Sequence, residues 1–279
     1  MTITKSDGTR QVFEEEKLAS SLAHAGAAQE IIDEIVEEVE HGMKDGMNTT
    51  EIYGRAFELL KKHSRHIAVK YSIRRAIMEL GPDGFPFEKF VARIFQSWNY
   101  ETMTDQTVMG SCISHEIDVI AWDKKKLIMC EAKFHNEFGL KSDVKVALYI
   151  KSRWDDVATN FYDYGGIKRK LSEFWLVTNT KFTEQAIAYG ECKNLKMIGW
   201  NYPQHGNLHD LIEENGLHPI TCLTSLSNFQ KKDLIGRNIL VCTDLIKRPE
   251  MLKVIGLKDH DVERVVEESK IVIQSTDRH

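Results

Sequence analysis

His115-Glu116-Ile117-Asp118-Val119-Ile120-Ala121 alternates polar and apolar side chains, the period of a half-buried strand. Asp123-Lys124-Lys125-Lys126 follows as a polar turn, and Leu127 to Phe134 forms a second strand pattern that carries Glu131-Ala132-Lys133 near its end. Side chains two apart on a strand share a face. Glu131 and Lys133 therefore point the same way, Glu116 shares the face of Asp118, and a neighbouring strand can set Asp118 beside Glu131. Two carboxylates and an ammonium at one spot are costly for stability alone. They suit a site that binds Mg²⁺ through carboxylates and phosphate oxygens and uses the metal to activate water.

The pattern extends on both sides. Phe85-Pro86-Phe87-Glu88-Lys89-Phe90 opens a helix with apolar residues at 87, 90, 91, 94, 95 and 98. Further on, Phe174-Trp175-Leu176-Val177-Thr178-Asn179-Thr180-Lys181-Phe182-Thr183, followed by Gln185-Ala186, has the order strand, turn, helix. Over about residues 82 to 215 this arrangement resembles the PD-(D/E)xK nucleases, specifically their Mrr-like restriction endonuclease branch. The resemblance implies an α/β, restriction-endonuclease-like fold with a mixed sheet flanked by helices, and a DNA endonuclease that serves in defence against foreign DNA. It implies that Asp118 and Glu131 hold Mg²⁺ or Mn²⁺, with the Ala132 backbone carbonyl as a third ligand. Lys133 would orient or deprotonate the attacking water, and Glu88 would bind a second metal or position a water. Cutting both strands of a duplex needs two sites, so a symmetric homo-oligomer is expected.

The composition fits a globular protein of two or three domains: 279 residues, 42% hydrophobic and 28% charged. No apolar run is long enough to span a membrane. The start, Met1-Thr2-Ile3-Thr4-Lys5-Ser6-Asp7, lacks a secretory pattern, so a cytoplasmic location is expected. The five cysteines, at 112, 130, 192, 222 and 242, contain no CxxC pair and predict reduced thiols, not disulfides or zinc. A net charge of −5 argues against a generic nucleic-acid coat, but acidic metal ligands lower the total of a nuclease too.

Three units are expected: 1–80, 82–218 and 219–279. The breaker Gly81-Pro82-Asp83-Gly84 separates the first two. In the first, Gln29 to Glu40 and Thr50 to His63 are amphipathic helical patterns, and Asp7-Gly8 is a hairpin turn signal between short strands. Ile3-Thr4-Lys5-Ser6-Asp7-Gly8, Val12-Phe13, Lys17-Leu18, Thr49-Thr50-Glu51-Ile52 and Tyr71-Ser72-Ile73-Arg74-Arg75 together resemble the ATP-cone domain. By that resemblance the unit binds ATP or dATP as an effector. Lys5, Lys17 and Thr49 fall at nucleotide-contacting positions, Gln11 and Glu14 line the base and ribose side, and Arg74 or Arg75 adds charge for the phosphates. Ser6 stands where the cone usually has arginine. No GxxxxGK[ST] motif occurs, so hydrolysis in the P-loop manner is not supported.

The last unit shows helical patterns at Leu226 to Ile235, Ile239 to Ile246, Pro249 to Val254 and Asp259 to Lys270. Leu252 to Leu257 vaguely resembles a helix-hairpin-helix turn; a plain helical cap explains it as well. Lys141, Lys145, Lys151 and Arg153, with Tyr149, Trp154 and Tyr162, form either a DNA-facing stretch or a solvated helix face. His205 and His209 have a metal-ligand spacing but flank a Gly-Asn turn. The competing function classes are a non-catalytic nucleotide-sensing DNA-binding protein on a nuclease scaffold, and an RNA-directed nuclease.

Overall fold

A computed structural model of the chain describes residues 1–4, 9–64, 67–68, 71–81, 83–136 and 140–274. The N-terminal unit is a three-stranded sheet with helices. β1 (Thr2–Thr4) lies between β2 (Arg10–Val12), antiparallel to it, and β3 (Met47–Asn48), parallel to it. Helices α1 (Glu15–His24), α2 (Gln29–His41) and α3 (Thr49–His63) bury Leu18, Leu22, Ile32, Ile35, Val39, Ala56 and Leu60 in one core with Ile3. The hairpin strands flank the expected Asp7-Gly8 turn, which itself lies outside the described residues.

After α4 (Ile73–Met78) comes α5 (Phe85–Ser97), which starts with Pro86 in its first turn, where a missing N–H costs nothing. Its stripe of Phe87, Phe90, Val91, Ile94 and Phe95 is fully buried. The central sheet has the order β12-β10-β6-β5-β4. β4 (Glu101–Met109), β5 (Ser114–Trp122) and β6 (Leu127–Lys133) are antiparallel neighbours, while β6, β10 (Glu173–Thr178) and β12 (Lys196–Ile198) run parallel. β6 is central, so Leu127 to Cys130 are buried on both faces and its sequence is a continuous apolar run, not an alternating one. Two short pairs lie outside this sheet: β7 (Lys141–Ser142) with β11 (Lys181–Phe182), and the hairpin β8 (Phe161–Tyr164) with β9 (Ile167–Lys170).

Each face of the sheet has its own core. α6 (Val144–Val157) and α7 (Glu184–Cys192), capped by the Asp143 carboxylate and the Thr183 hydroxyl, cover Ile120, Met129, Phe174 and Leu176. On the other face, α5 covers Val119, Ala121, Cys130, Ala132 and Val177. That core continues through α8 (Leu208–Glu214) and the C-terminal helices α9 (Asn228–Gly236), α10 (Cys242–Lys247), α11 (Glu250–Val254) and α12 (Asp259–Gln274). It also takes in Ile73, Ala76, Ile77 and Leu80 of the segment around α4. The packing runs across the unit boundaries expected near 81 and 219. Gly256, at φ +89°, turns the chain between α11 and α12. Three of the five cysteines are buried and all five are unpaired. Among the described residues no helix is long and apolar enough to cross a membrane.

Candidate functional site

Asp118 and Glu131 sit where β5 and β6 stop pairing. The ladder runs from Trp122–Leu127 to Val119–Cys130. One step further the Asp118 side chain takes over, its Oδ2 accepting the Ala132 N–H at 2.7 Å. The carboxylate thus replaces a backbone acceptor and is held beside Glu131. Burial raises the Asp118 pKa to about 7; the negative charges of Glu131 and Glu88 add to the rise, and the Ala132 bond and the Arg153 charge oppose it.

Glu88 comes from the first turn of α5, on the opposite layer. It too is raised to about 7, first by burial and then by the charges of Asp105, Glu116 and Glu131. Asp118, Glu131 and Glu88 therefore form one electrostatic cluster, drawn from two strands and a helix. Like charges held together in a partly dry place favour a proton or a cation.

The regular alternation expected from 115 to 121 breaks at Asp118. Ile117 packs with the core under α6, whereas Val119, two residues on, packs with the core under α5. β4 and β5 stay in register across this point, which places Asp105 opposite Asp118, and Asp105 has φ +57°. A left-handed residue inside a strand adds local twist, so the faces exchange there. Glu116 consequently does not share Asp118's face as its spacing suggested; its charge acts on Glu88 instead.

Lys133 lies two residues beyond Glu131 and is exposed. It forms no ion pair with either carboxylate among the described residues; its charge is felt by His135, whose pKa is lowered by burial and then by Lys133. The cation that does reach the cluster is Arg153. It is buried on α6, and its Nη1 donates to Glu131 Oε2. The basic stretch expected to face solvent or DNA is therefore interrupted at Arg153, because the helix phase turns that position onto the sheet. Lys141 and Lys145 are exposed, as is Tyr149. In sequence, Arg153 differs from its neighbours only in its spacing from Ala147, Ile150 and Val157, all buried on the same helix.

Behind Lys133 a buried polar chain fixes the end of β6. His135 Nε2 and Ser142 Oγ are 3.0 Å apart, and Ser142 Oγ donates to Thr178 Oγ1 at 3.1 Å. Asn179 accepts the His135 N–H and donates to its carbonyl, both at 2.9 Å.

A divalent cation would fit this donor set. With one oxygen of each carboxylate engaged, Asp118 Oδ1 and Glu131 Oε1 accept no bond among the described residues. No group of three or more His, Cys, Asp or Glu converges as a ready metal cage among those residues. Mg²⁺ seldom uses such a cage; one or two carboxylates with water and phosphate oxygens are its usual shell. His209 stacks edge-on against Trp200 at 5.6 Å, and its Nδ1 lies 3.7 Å from Asp210 Oδ1.

In the N-terminal unit, β1 and β3 run parallel and end side by side, with Thr4 opposite Asn48. Thr49 starts α3 there, and Gln11 lies on β2 opposite Ile3. Glu14 precedes α1 and is ion-paired with Lys17 at 2.8 Å, both exposed. Lys5 lies outside the described residues. Arg74 and Arg75 lie on α4. Arg74 is half-buried, with its guanidinium 5.8 Å from the Trp200 ring centre, and Arg75 pairs with Glu79 at 3.0 Å. Ile73, Ala76 and Ile77 of the same helix belong to the large core, and Arg74 also interacts electrostatically with Tyr53 on α3.

Two protein families match parts of the chain. The ATP cone domain family matches residues 1–79, and the family described as AF1548-like, C-terminal matches residues 218–273. An uncharacterized protein of Archaeoglobus fulgidus is 34% identical over 184 residues, covering 66% of this chain and 99% of that protein. The crystal structure of a protein of unknown function, AF1548, is 32% identical with a TM-score of 0.56, covering 69% of this chain and all of that one. The chain belongs to the family of the Archaeoglobus fulgidus protein, and carries an ATP cone at its N-terminus.

Proposed function

We propose that the chain is a metal-dependent DNA endonuclease controlled by an adenine nucleotide. One observation carries the proposal: Asp118 and Glu131 meet where two strands stop pairing, and the charge of Glu88, from the helix on the opposite layer, acts on Asp118. Such a cluster costs stability and has no evident structural purpose. Asp118, Glu131 and the Ala132 carbonyl would hold Mg²⁺ or Mn²⁺, which when bound supplies an activated water and stabilises charge on the phosphorane. Lys133, at the exposed mouth, orients the attacking water and faces the developing charge. Glu88, which titrates near neutrality, positions a water or a second metal. The cone would hold ATP or dATP near Lys5, Gln11, Lys17 and Thr49, and nucleotide binding would act through a coupling free energy between the two sites. A homo-oligomer would supply the second site for duplex cleavage, and defence against foreign DNA is the role such an enzyme suits.

The test is cleavage of plasmid, base-modified DNA and RNA with Mg²⁺ or Mn²⁺, each with and without ATP and dATP. Metal-dependent cutting that D118A abolishes is the expected result. Cutting that D118A leaves at wild-type rate places the chemistry elsewhere, and cutting of RNA alone changes the substrate. A chain that binds duplex DNA and nucleotide but cuts nothing with either metal is a sensing module on a nuclease-like scaffold.

A further inference from the structure

Arg153 is a costly residue where it stands. Its side chain is 7% exposed and contacts Glu131, whose side chain is 18% exposed. Its Nε is buried and has no hydrogen-bond partner among the described residues. A guanidinium with an orphaned N–H destabilises its surroundings, and an apolar side chain of similar volume generally fills such a place at lower cost. The helix around it is otherwise built for packing: Ala147, Ile150 and Val157 are fully buried against the sheet. Tyr149, one turn earlier, has its ring 5.4 Å from the guanidinium carbon. The N-terminus of the helix is fixed by Asp143, which accepts the Lys145 N–H at 3.0 Å. The guanidinium is thus rigidly mounted from the helix, and it engages one oxygen of Glu131 only.

We propose that Arg153 is a positioning residue: it grips Glu131 Oε2 so that Oε1 is presented, together with Asp118, to a divalent cation. The inference rests on the nuclease reading of the same site. Partner groups behind a metal ligand orient it and commonly change metal affinity when removed. Arg153 is unusual among such groups because it carries a positive charge. Charge alone would repel a cation, so removing Arg153 should tighten metal binding if neutralising the carboxylates were its whole role. Positioning has the opposite sign, since loss of the grip frees the Glu131 side chain and weakens binding.

The test is calorimetric titration of the full chain with Mn²⁺, with the melting temperature in EDTA as a check on folding. R153M, which keeps the packing and loses the grip, is expected to bind Mn²⁺ about tenfold or more weakly than the wild type. R153K keeps the charge without the rigid planar fork and should fall between the two. R153M binding as tightly as the wild type, or more tightly, overturns the proposal. Should R153M fail to fold, R153K decides alone: affinity equal to the wild type means that charge, not geometry, is what Arg153 supplies. The D118A control separates the levels. A wild type that takes up no Mn²⁺, or takes it up as well as D118A does, overturns the metal reading and this inference with it. Metal uptake lost in D118A but untouched in R153M overturns the inference alone.

Discussion

The raised carboxyls of Asp118 and Glu88 predict that stability falls as pH rises. Both carboxyls are raised in the folded chain to about 7, from ordinary values of 3.8 and 4.5. The folded state therefore holds protons that the unfolded state has released. Their stabilising contribution is complete below the ordinary values and is lost as pH rises through the folded ones. In EDTA, the melting temperature is expected to fall between pH 5 and pH 8. D118N, which mimics the protonated group, should flatten that fall and raise the melting temperature at pH 8. A wild-type profile that is flat or rising over this range would show that the cluster is not strained. Metal affinity should move oppositely, strengthening from pH 6 to pH 8 as protons cease to compete.

Gly81, just after α4, shows how elements meet behind the site. A Cβ at this position would lie 2.6 Å from Phe134 Cε1 and 2.8 Å from Asn136 Oδ1. Phe134 follows Lys133 directly, and its ring lies 5.4 Å from that of Phe87 on α5. The same contact zone includes Asn179, whose Nδ2 lies 3.0 Å from Met78 Sδ on α4. G81A should thus push on the segment that ends β6, and overpacking of this kind costs about 1–3 kcal/mol. Chemical denaturation would measure the loss. A variant as stable as the wild type would mean that the Phe134 ring yields freely. The Glu131-Ala132-Lys133 sequence showed which strand carries the acids, but nothing in it signalled the glycine that this strand's exit leans on.

The molecule as a whole is bound together across its expected boundaries. Residues 220–272 contribute Ile220, Leu223, Leu234, Leu240, Leu245, Val265 and Val272 to the core that α5 and the sheet also line. Thr221 Oγ1 donates to the Ala76 carbonyl at 2.7 Å, joining the tail to α4. The buried Glu268 carboxylate, its pKa lowered by hydrogen bonds although burial opposes them, accepts the N–H groups of Thr224 and Ser225 at 2.8 and 3.0 Å. A chain ending at residue 217 would uncover one face of that core, and is expected to be insoluble or to melt without cooperativity. A cooperative melt from this fragment would show the tail to be dispensable. The cone, whose own core lies mainly in residues 3–68, is joined to the rest through α4.

Local pattern was enough to place most elements: α2 and α3 from apolar periodicity, α5 from the Phe87–Phe95 stripe, β5 from its alternation, and β6 and β10 from their apolar runs. It also placed Asp118 next to Glu131, because strand period and a short hairpin leave little choice of register. Three features were not legible there. The exchange of faces at Asp118 depends on a left-handed Asp105 one strand away. Arg153 became the partner of Glu131 because a helix laid across the sheet brings together residues 22 apart in the chain. Arg74 meets the Trp200 ring because α4 packs into the large core. Each depends on which surfaces pack against which, and side-chain spacing along one strand or helix carries no information about the partner it meets.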